Sequence, residues 1–475
     1  MLKLILENLK DKSEYECYQI NDKIYTNKDL YKYVCNIYQY LLTNNKERSN
    51  VIVYGHKDIY MIASFLACSF AGMTYIPVDE SIPQERKEKI VKQANAKIIL
   101  DKKIEKVMFK ESYEEIKDIY LNEEDTYYII FTSGSTGEPK GVKILYRNIK
   151  SCMKWLKDIC NVGKSTILNQ AIFSFDLSVA DIYLSLITKS KHYVLDKETQ
   201  KNYILLFEKL RNSKAKLAII TPSFADLLLI DKSFNKDMMP YLEKILFCGE
   251  QLTQKTVSKL YERFSDLEII NCYGPTECTF AVTSKKIDKE DIEKISIGKA
   301  KEDTQVYIVN DNLDTVEDDV IGEILIVGDS VGDGYLNNKL NDERFLVIDN
   351  KKAYLTGDLG YKHKEELYCI GRKDKQIKYK GYRIEISEIE KVIDELDEIE
   401  KTVVTTLKNK EEKISKIIAF VKMKDNCKIS GDEIKQNIEK ILPDYMIPII
   451  KIVDKIPLNI NGKIDENQLL EEYLK

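Results

Sequence analysis

Long blocks of one charge are missing from this chain. Lysine and glutamate are interspersed along its 475 residues and leave a net charge of −5. That excludes the footprint of a nucleic-acid-binding surface and reads as ordinary solvated exterior. No apolar run is long enough to cross a bilayer; the longest, from Tyr60 to Tyr75, is broken by Ser, Cys and Gly. No membrane insertion is expected. The first ten residues show no signal-peptide cleavage pattern. Ten cysteines are present, yet no Cys-x-x-Cys pair, and Cys35, Cys68 and Cys369 lie inside apolar segments. This usage argues against a zinc site or a disulfide framework and for a reducing, cytoplasmic setting. Internal repeats and low-complexity linkers are also absent. The length allows two or three domains with sizeable cores.

What is present is one unusual loop. An apolar run, Tyr128-Ile129-Ile130-Phe131, leads into Thr132-Ser133-Gly134-Ser135-Thr136-Gly137-Glu138-Pro139-Lys140-Gly141. Glycines let backbone N–H groups approach a ligand, and hydroxyls and a lysine add donors and charge, so the loop can wrap a polyphosphate. The order differs from a Walker A loop, in which Gly-Lys-Ser/Thr opens the next helix. A plain surface turn is the alternative.

Short β-rich runs alternate with amphipathic helical stretches through the first three-quarters of the chain. Val51–Tyr54 precedes a helix over 58–71, and Thr74–Val78 precedes a helix from Gln84. Leu217–Ile220 precedes a helix over 223–230, and Lys244–Cys248 one over 253–264. Alternation of this kind predicts α/β layers with parallel strands, whose ligands gather at strand carboxyl ends. From Asp303 short strands and turns take over, at 306–309, 324–327 and 368–370. After Asp374 a tail of helix (387–396), two strands (402–407, 416–421), helix (432–442) and strand (449–453) predicts a small α+β domain. The expected architecture is α/β: a large region over 1–373 of layered α/β subdomains plus a β-rich subdomain, and a small mobile domain over 374–475.

Seven ordered segments resemble the adenylate-forming superfamily nearly end to end. They are Ala71–Asp79, Thr132–Gly141, Asn271–Glu277, Thr356-Gly357-Asp358, Gly371-Arg372-Lys373-Asp374, Leu442–Pro448 and Asn461–Asp465. Within that superfamily Asn169–Val179, Thr221–Phe224 and Phe247–Glu250 are similar to the stand-alone D-alanine–carrier protein ligases. The chain also resembles them in stopping after one adenylation unit.

The resemblance implies ATP-dependent activation of a small amino acid, best matched by D-alanine, as aminoacyl-AMP, then transfer to the phosphopantetheine thiol of a carrier protein. The alternative is a stand-alone nonribosomal-peptide adenylation domain for another amino acid. Thr132, Ser133, Gly134, Ser135, Thr136, Gly137 and Lys140 would cradle phosphates. Glu277 would act in catalysis as the Mg2+ ligand, since a hard cation on phosphates suits a carboxylate oxygen; a helix-terminal carboxylate is its structural alternative. Tyr273, Gly274 and Thr276 would flank the nucleotide, Asp358 would accept from the ribose hydroxyls, and Arg372 would lie near ribose and phosphate. Core packing, a turn aspartate and a surface arginine are the plainer readings of Tyr273, Asp358 and Arg372.

Lys463, in an Asn-Gly-Lys turn, would bridge the substrate carboxylate and the α-phosphate as the catalytic lysine; an exposed turn lysine is the alternative. Asp374 would be the hinge on which the small domain rotates between half-reactions. Asp176 would pair with the substrate α-ammonium, or else cap the following helix. Removing a buried partner costs ~3–5 kcal/mol, and removing a cap ~1 kcal/mol. Leu177, Cys248 and Phe280, with Ala180, Ser223, Leu246, Cys272 and Ala281, would line the pocket. Ala180 and Phe280 depart from the D-alanine ligases, which carry a larger residue and a valine there; Leu355 and Asp333 replace arginines beside two motifs.

Overall fold

Aliphatic and β-branched runs bounded by turn residues become strands, and the intervening stripes at helical spacing become helices. The computed structural model describes all residues except 46–47, 135–136, 290, 338–340, 342, 410–412, 426, 428, 458–463 and 475. In chain order the strands of the larger part are β1 (Glu16–Ile20), β2 (Lys23–Thr26), β3 (Asn50–Gly55), β4 (Thr74–Asp79), β5 (Ile98–Leu100), β6 (Thr126–Thr132) and β7 (Lys140–Leu145). Next come β8 (Thr166–Asn169), β9 (Lys191–Val194), β10 (Leu217–Ile220), β11 (Lys244–Phe247), β12 (Glu268–Tyr273), β13 (Thr283–Ile287) and β14 (Lys299–Ala300). The last are β15 (Thr304–Val309), β16 (Gly322–Gly328), β17 (Phe345–Ile348), β18 (Lys351–His363) and β19 (Glu366–Arg372).

Two sheets carry the α/β part. One runs β5-β3-β4-β6-β7, and the other β14-β13-β12-β11-β10-β8-β9-β1-β2. The strands β12, β11, β10, β8, β9 and β1 are mutually parallel, as the alternating pattern predicts. β13, β14 and β2 close the edges antiparallel. An antiparallel sheet β15-β16-β18-β17, with β19 on β18, forms the β-rich part.

The chain divides into two compact units. The first comprises Met1–Asp79, Gln93–Ile130 and Gly141–Lys373; the second comprises Glu80–Lys92, Phe131–Lys140 and Asp374–Lys475. In the first unit the helix Ile59–Phe70 is buried on every side. Phe65 stacks on Tyr75 at 4.4 Å, and the Tyr183 hydroxyl donates to that of Tyr75 at 2.9 Å. The N-terminal helix Leu2–Lys10 buries Leu2, Ile5, Leu6 and Leu9, an apolar stripe at helical spacing. In the second unit Ile399–Lys408 pairs antiparallel with Ile414–Met423, which pairs parallel with Ile449–Ile452. Ile389, Val404, Ala419, Ile434 and Ile438 fill its core. Ser430 and Glu433 form a reciprocal cap on the helix Gly431–Ile438. Among the described residues no helix is long and apolar enough to cross a membrane.

Candidate functional site

Parallel pairing aligns the carboxyl ends of β8, β10, β11 and β12 along one sheet edge, with Asn169 opposite Ile219 and Phe247 opposite Asn271. The segment 170–176, Thr221, Cys248 and the turn after Tyr273 leave from that edge, where open α/β sheets place their ligands.

Asp176 precedes the helix Leu177–Thr188, but its side chain makes no capping bond to that helix. Its Oδ2 instead accepts from Thr276 Oγ1 at 2.6 Å, and the residue is buried. The capping alternative is thereby removed. Leu177, beside it, is buried. Burial, and then the charge of Asp176, push the Tyr128 phenol well above its ordinary range.

On the other side of the turn, Thr279 and Phe280 both have left-handed backbones, with φ of 61° and 74°. Two consecutive non-glycine residues in this region store ~1–3 kcal/mol each. Thr279 Oγ1 holds the bend by donating to the Ser330 carbonyl at 2.9 Å. The Phe280 carbonyl lies 3.7 Å from Cys248 Sγ, so two of the expected pocket residues are in contact. Gly274 faces this bend so closely that a Cβ would lie 2.6 Å from Ala281 Cα, which explains the glycine.

Glu277 is entirely buried, and its Oε1 accepts from the Tyr335 phenol at 2.6 Å. Tyr273, Asp358 and Arg372 form one chain of charge-assisted bonds. The Tyr273 hydroxyl donates to Asp358 Oδ2 and Arg372 Nη1 to Oδ1, both at 2.6 Å. Cross-strand pairing of Asp358 with Arg372 sets this geometry.

In the second unit, the Gly137 N–H closes a tight turn on the Gly134 carbonyl at 3.0 Å. A Cβ at Gly134 would lie 2.1 Å from the Glu138 carbonyl, so only glycine fits. Ser133 Oγ donates to the Arg383 carbonyl at 2.8 Å and accepts from the Glu385 N–H at 3.1 Å. The Gly134 N–H donates to Glu388 Oε2 at 3.2 Å, and Arg86 pairs with Glu388 Oε1. A carboxylate thus takes a loop N–H suited to an anion. Thr132 Oγ1 is buried with no partner among the described residues. Lys140 opens β7. Ser135, Thr136 and Lys463 lie outside the described residues.

Residues 6–336 match the AMP-binding enzyme family, and residues 388–463 match the AMP-binding enzyme C-terminal domain. The D-alanine–D-alanyl carrier protein ligase of Bacillus licheniformis is 38% identical over 452 residues, covering 90% of each chain. That of Bacillus cereus is 38% identical over 454 residues, with the same coverage. The chain belongs to the AMP-binding enzyme family. Among solved structures, the Vibrio cholerae adenylation domain AlmE, in complex with glycyl-adenosine-5'-phosphate, superposes with a TM-score of 0.86. It is 22% identical and the match covers 99% of this chain and 97% of that one. PA1221, a nonribosomal peptide synthetase protein with adenylation and PCP domains, gives 0.84 at 22% identity, covering 98% and 84%. These likenesses establish the adenylation-domain fold.

An enzyme of this family handles a nucleotide and a carboxylate, and the buried carboxylates here differ in what they can hold. Asp358 already carries two donors. Glu277 has a phenol on one oxygen, and no group of three metal-ligating side chains occurs among the described residues. That donor set fits Mg2+, which keeps waters and phosphate oxygens and needs only one or two carboxylates. Sequence reasoning missed Tyr335, Arg86 and Glu388, since none lies in a segment quoted for the resemblance. Asp333 bridges Lys143 at 3.0 Å and Lys352 at 2.5 Å.

Proposed function

We propose that this enzyme activates D-alanine with ATP and passes the alanyl group to the phosphopantetheine thiol of a carrier protein. The observation that carries this reading is Asp176: a buried carboxylate at the strand-end edge, oriented by Thr276 and not used as a helix cap. Relatives named D-alanine–D-alanyl carrier protein ligase support the choice of substrate.

In the first half-reaction a carboxylate oxygen of the amino acid attacks the α-phosphorus of ATP. The bond to the β-phosphate breaks and pyrophosphate leaves. Asp176 holds the substrate ammonium, so its carboxylate is aimed before attack. The phosphate loop, Thr132 to Lys140, receives the leaving phosphates once Glu388 yields the Gly134 N–H. Asp358, with Arg372 and Tyr273 holding its two oxygens, receives the ribose. Glu277 would hold Mg2+, which would supply positive charge to neutralise the phosphates. Lys463 bridges substrate carboxylate and α-phosphate, where negative charge builds. In the second half-reaction the carrier thiol, its proton passing to solvent, attacks the acyl carbon and AMP departs. Rotation of the domain after Asp374 exchanges Lys463 for the incoming thiol. The free thiols of all ten cysteines fit a cytoplasmic location.

A second reading, activation of a different amino acid for a peptide product, is favoured by Phe280 and Ala180. One methylene in a pocket is worth ~1–3 kcal/mol of discrimination, enough for a pair of substitutions to change the preferred side chain. Pyrophosphate exchange across D- and L-amino acids separates the two. D-alanine giving the highest kcat/KM supports the first reading, another amino acid supports the second, and turnover confined to fatty or aryl acids overturns both.

A further inference from the structure

At the carboxyl end of β3 the chain turns through Gly55-His56-Lys57-Asp58 into the helix Ile59–Phe70. Lys57 has a φ of +52°, a left-handed backbone uncommon for a residue other than glycine. Its side chain is fully buried, and Nζ lies 2.7 Å from the carbonyl oxygen of Gln170 and 2.7 Å from that of Leu195. Those carbonyls follow β8 and β9, so a lysine from the five-stranded sheet grips two adjacent strand ends of the nine-stranded one. The Tyr18 hydroxyl of β1 donates to the carbonyl of Lys57 itself. Gln200 Nε2 donates to the same two oxygens, at 3.0 Å and 2.8 Å.

A buried lysine calls for a reason, because desolvating an ammonium is costly and an apolar side chain would fill the space more cheaply. The surrounding carboxylates are each engaged elsewhere. Asp181 takes His192 Nε2 at 2.7 Å and Asn169 Nδ2 at 3.0 Å. Asp79 takes His56 Nδ1 at 2.7 Å, and Asp196 takes the Thr199 N–H at 2.7 Å. His56 Nε2 accepts from the Lys197 N–H at 2.9 Å, which places its proton on Nδ1. Lys57 therefore serves the two carbonyls, and Gln170 begins the segment that ends at Asp176.

We infer that Lys57 is a positioning residue for amino-acid activation: by clamping the carbonyls of Gln170 and Leu195 it fixes the segment from Gln170 to Asp176, and with it the carboxylate that receives the substrate ammonium. The functional half of this inference rests on the assignment of Asp176 made above. Burial lowers the Lys57 amine to about 7, against the opposing pull of Asp181, Asp79 and Asp196. The charged amine grips the carbonyls through charge-assisted bonds and the neutral one does so more weakly, so the clamp loosens as pH rises through that value.

The test uses the full chain. Backbone amide exchange over residues 170–176, measured without substrate, quickens about tenfold in Lys57→Met, while amides of the second unit keep wild-type rates. In pyrophosphate exchange with D-alanine, Lys57→Met raises the amino-acid KM about tenfold and leaves the ATP KM within about twofold. The wild-type amino-acid KM rises between about pH 6 and about pH 8, and this slope is lost in the variant. Gln200→Ala, a milder change at the same carbonyls, quickens the same amides about threefold and keeps the experiment decisive should Lys57→Met not fold. Unchanged exchange over 170–176 in Gln200→Ala and in any folded Lys57→Met, or KM values for ATP and amino acid rising together, overturns the inference. Asp176→Asn separates the two readings: if it leaves the amino-acid KM unchanged, the assignment of Asp176 fails. If it raises that KM while Lys57→Met does not, only the clamp fails.

Discussion

Thr276 Oγ1 donates to Asp176 Oδ2 at 2.6 Å across 100 residues of sequence. This bond ties the turn after β12 to the start of the helix Leu177–Thr188. It also leaves that helix without the side-chain cap that an aspartate at this position usually supplies.

Asp176→Ala is expected to cost ~3–5 kcal/mol in kcat/KM for the amino acid, because a buried ammonium would lose its counter-charge. Thr276→Val should cost ~1–3 kcal/mol by leaving an acceptor unsatisfied. Steady-state pyrophosphate exchange reads both. A change of about tenfold or less for Asp176→Ala would match a role confined to local structure.

Tyr335→Phe removes the phenol that donates to Glu277 Oε1. A hydrogen bond to a charged group is worth ~1.5–3 kcal/mol, so the Mg2+ concentration giving half-maximal rate should shift about tenfold or more. Glu277→Gln should shift it further. Titrating Mg2+ at saturating ATP measures both, and a Mg2+ dependence identical to wild type in Glu277→Gln would remove the metal assignment.

Lys463→Ala should abolish adenylate formation while ATP binding persists, since the lysine is assigned to charge that builds during attack. Pyrophosphate exchange gives the first quantity and equilibrium nucleotide binding the second. Wild-type exchange in this variant would move the catalytic role elsewhere.

Burial raises the Asp333 carboxyl, but its bonds to Lys352 and Lys143 outweigh burial and hold it below the usual aspartate range. A carboxyl depressed in the folded state stabilises the fold above its unfolded pKa, and that contribution disappears as pH falls through the folded value. Asp333→Asn should therefore be less stable than wild type near neutral pH. The difference should start to shrink below the ordinary aspartate pKa and vanish below the depressed folded-state value. Urea unfolding at neutral and strongly acidic pH checks the sign.

Local pattern was enough for several elements. β10 occupies the run Leu217–Ile220 with the bounds its apolar residues set, and the expected helix over 223–230 forms as Pro222–Leu228. The N-terminal helix was not legible, because its stripe of four apolar residues is too short to stand above the charged residues between them. The hairpin of Gln376–Tyr379 with Tyr382–Glu385 also went unseen, since its short strands carry charges on both sides of the turn. For the candidate site, the motif residues were singled out because each sits in a contiguous signature. Tyr335 and Lys57 were not, because their partners lie 58 and 113 residues away.

The amino-acid sequence by itself determined the family, the alternation of strands and helices and the residue types available for chemistry, because short-range periodicity and ordered motifs carry that information. Only the tertiary structure decided that Asp176 does not cap its helix, that Glu277 answers to a phenol, and that one buried lysine holds two strand ends. Those facts depend on which distant backbone and side-chain atoms meet in a low-dielectric interior, and no local pattern encodes such a meeting.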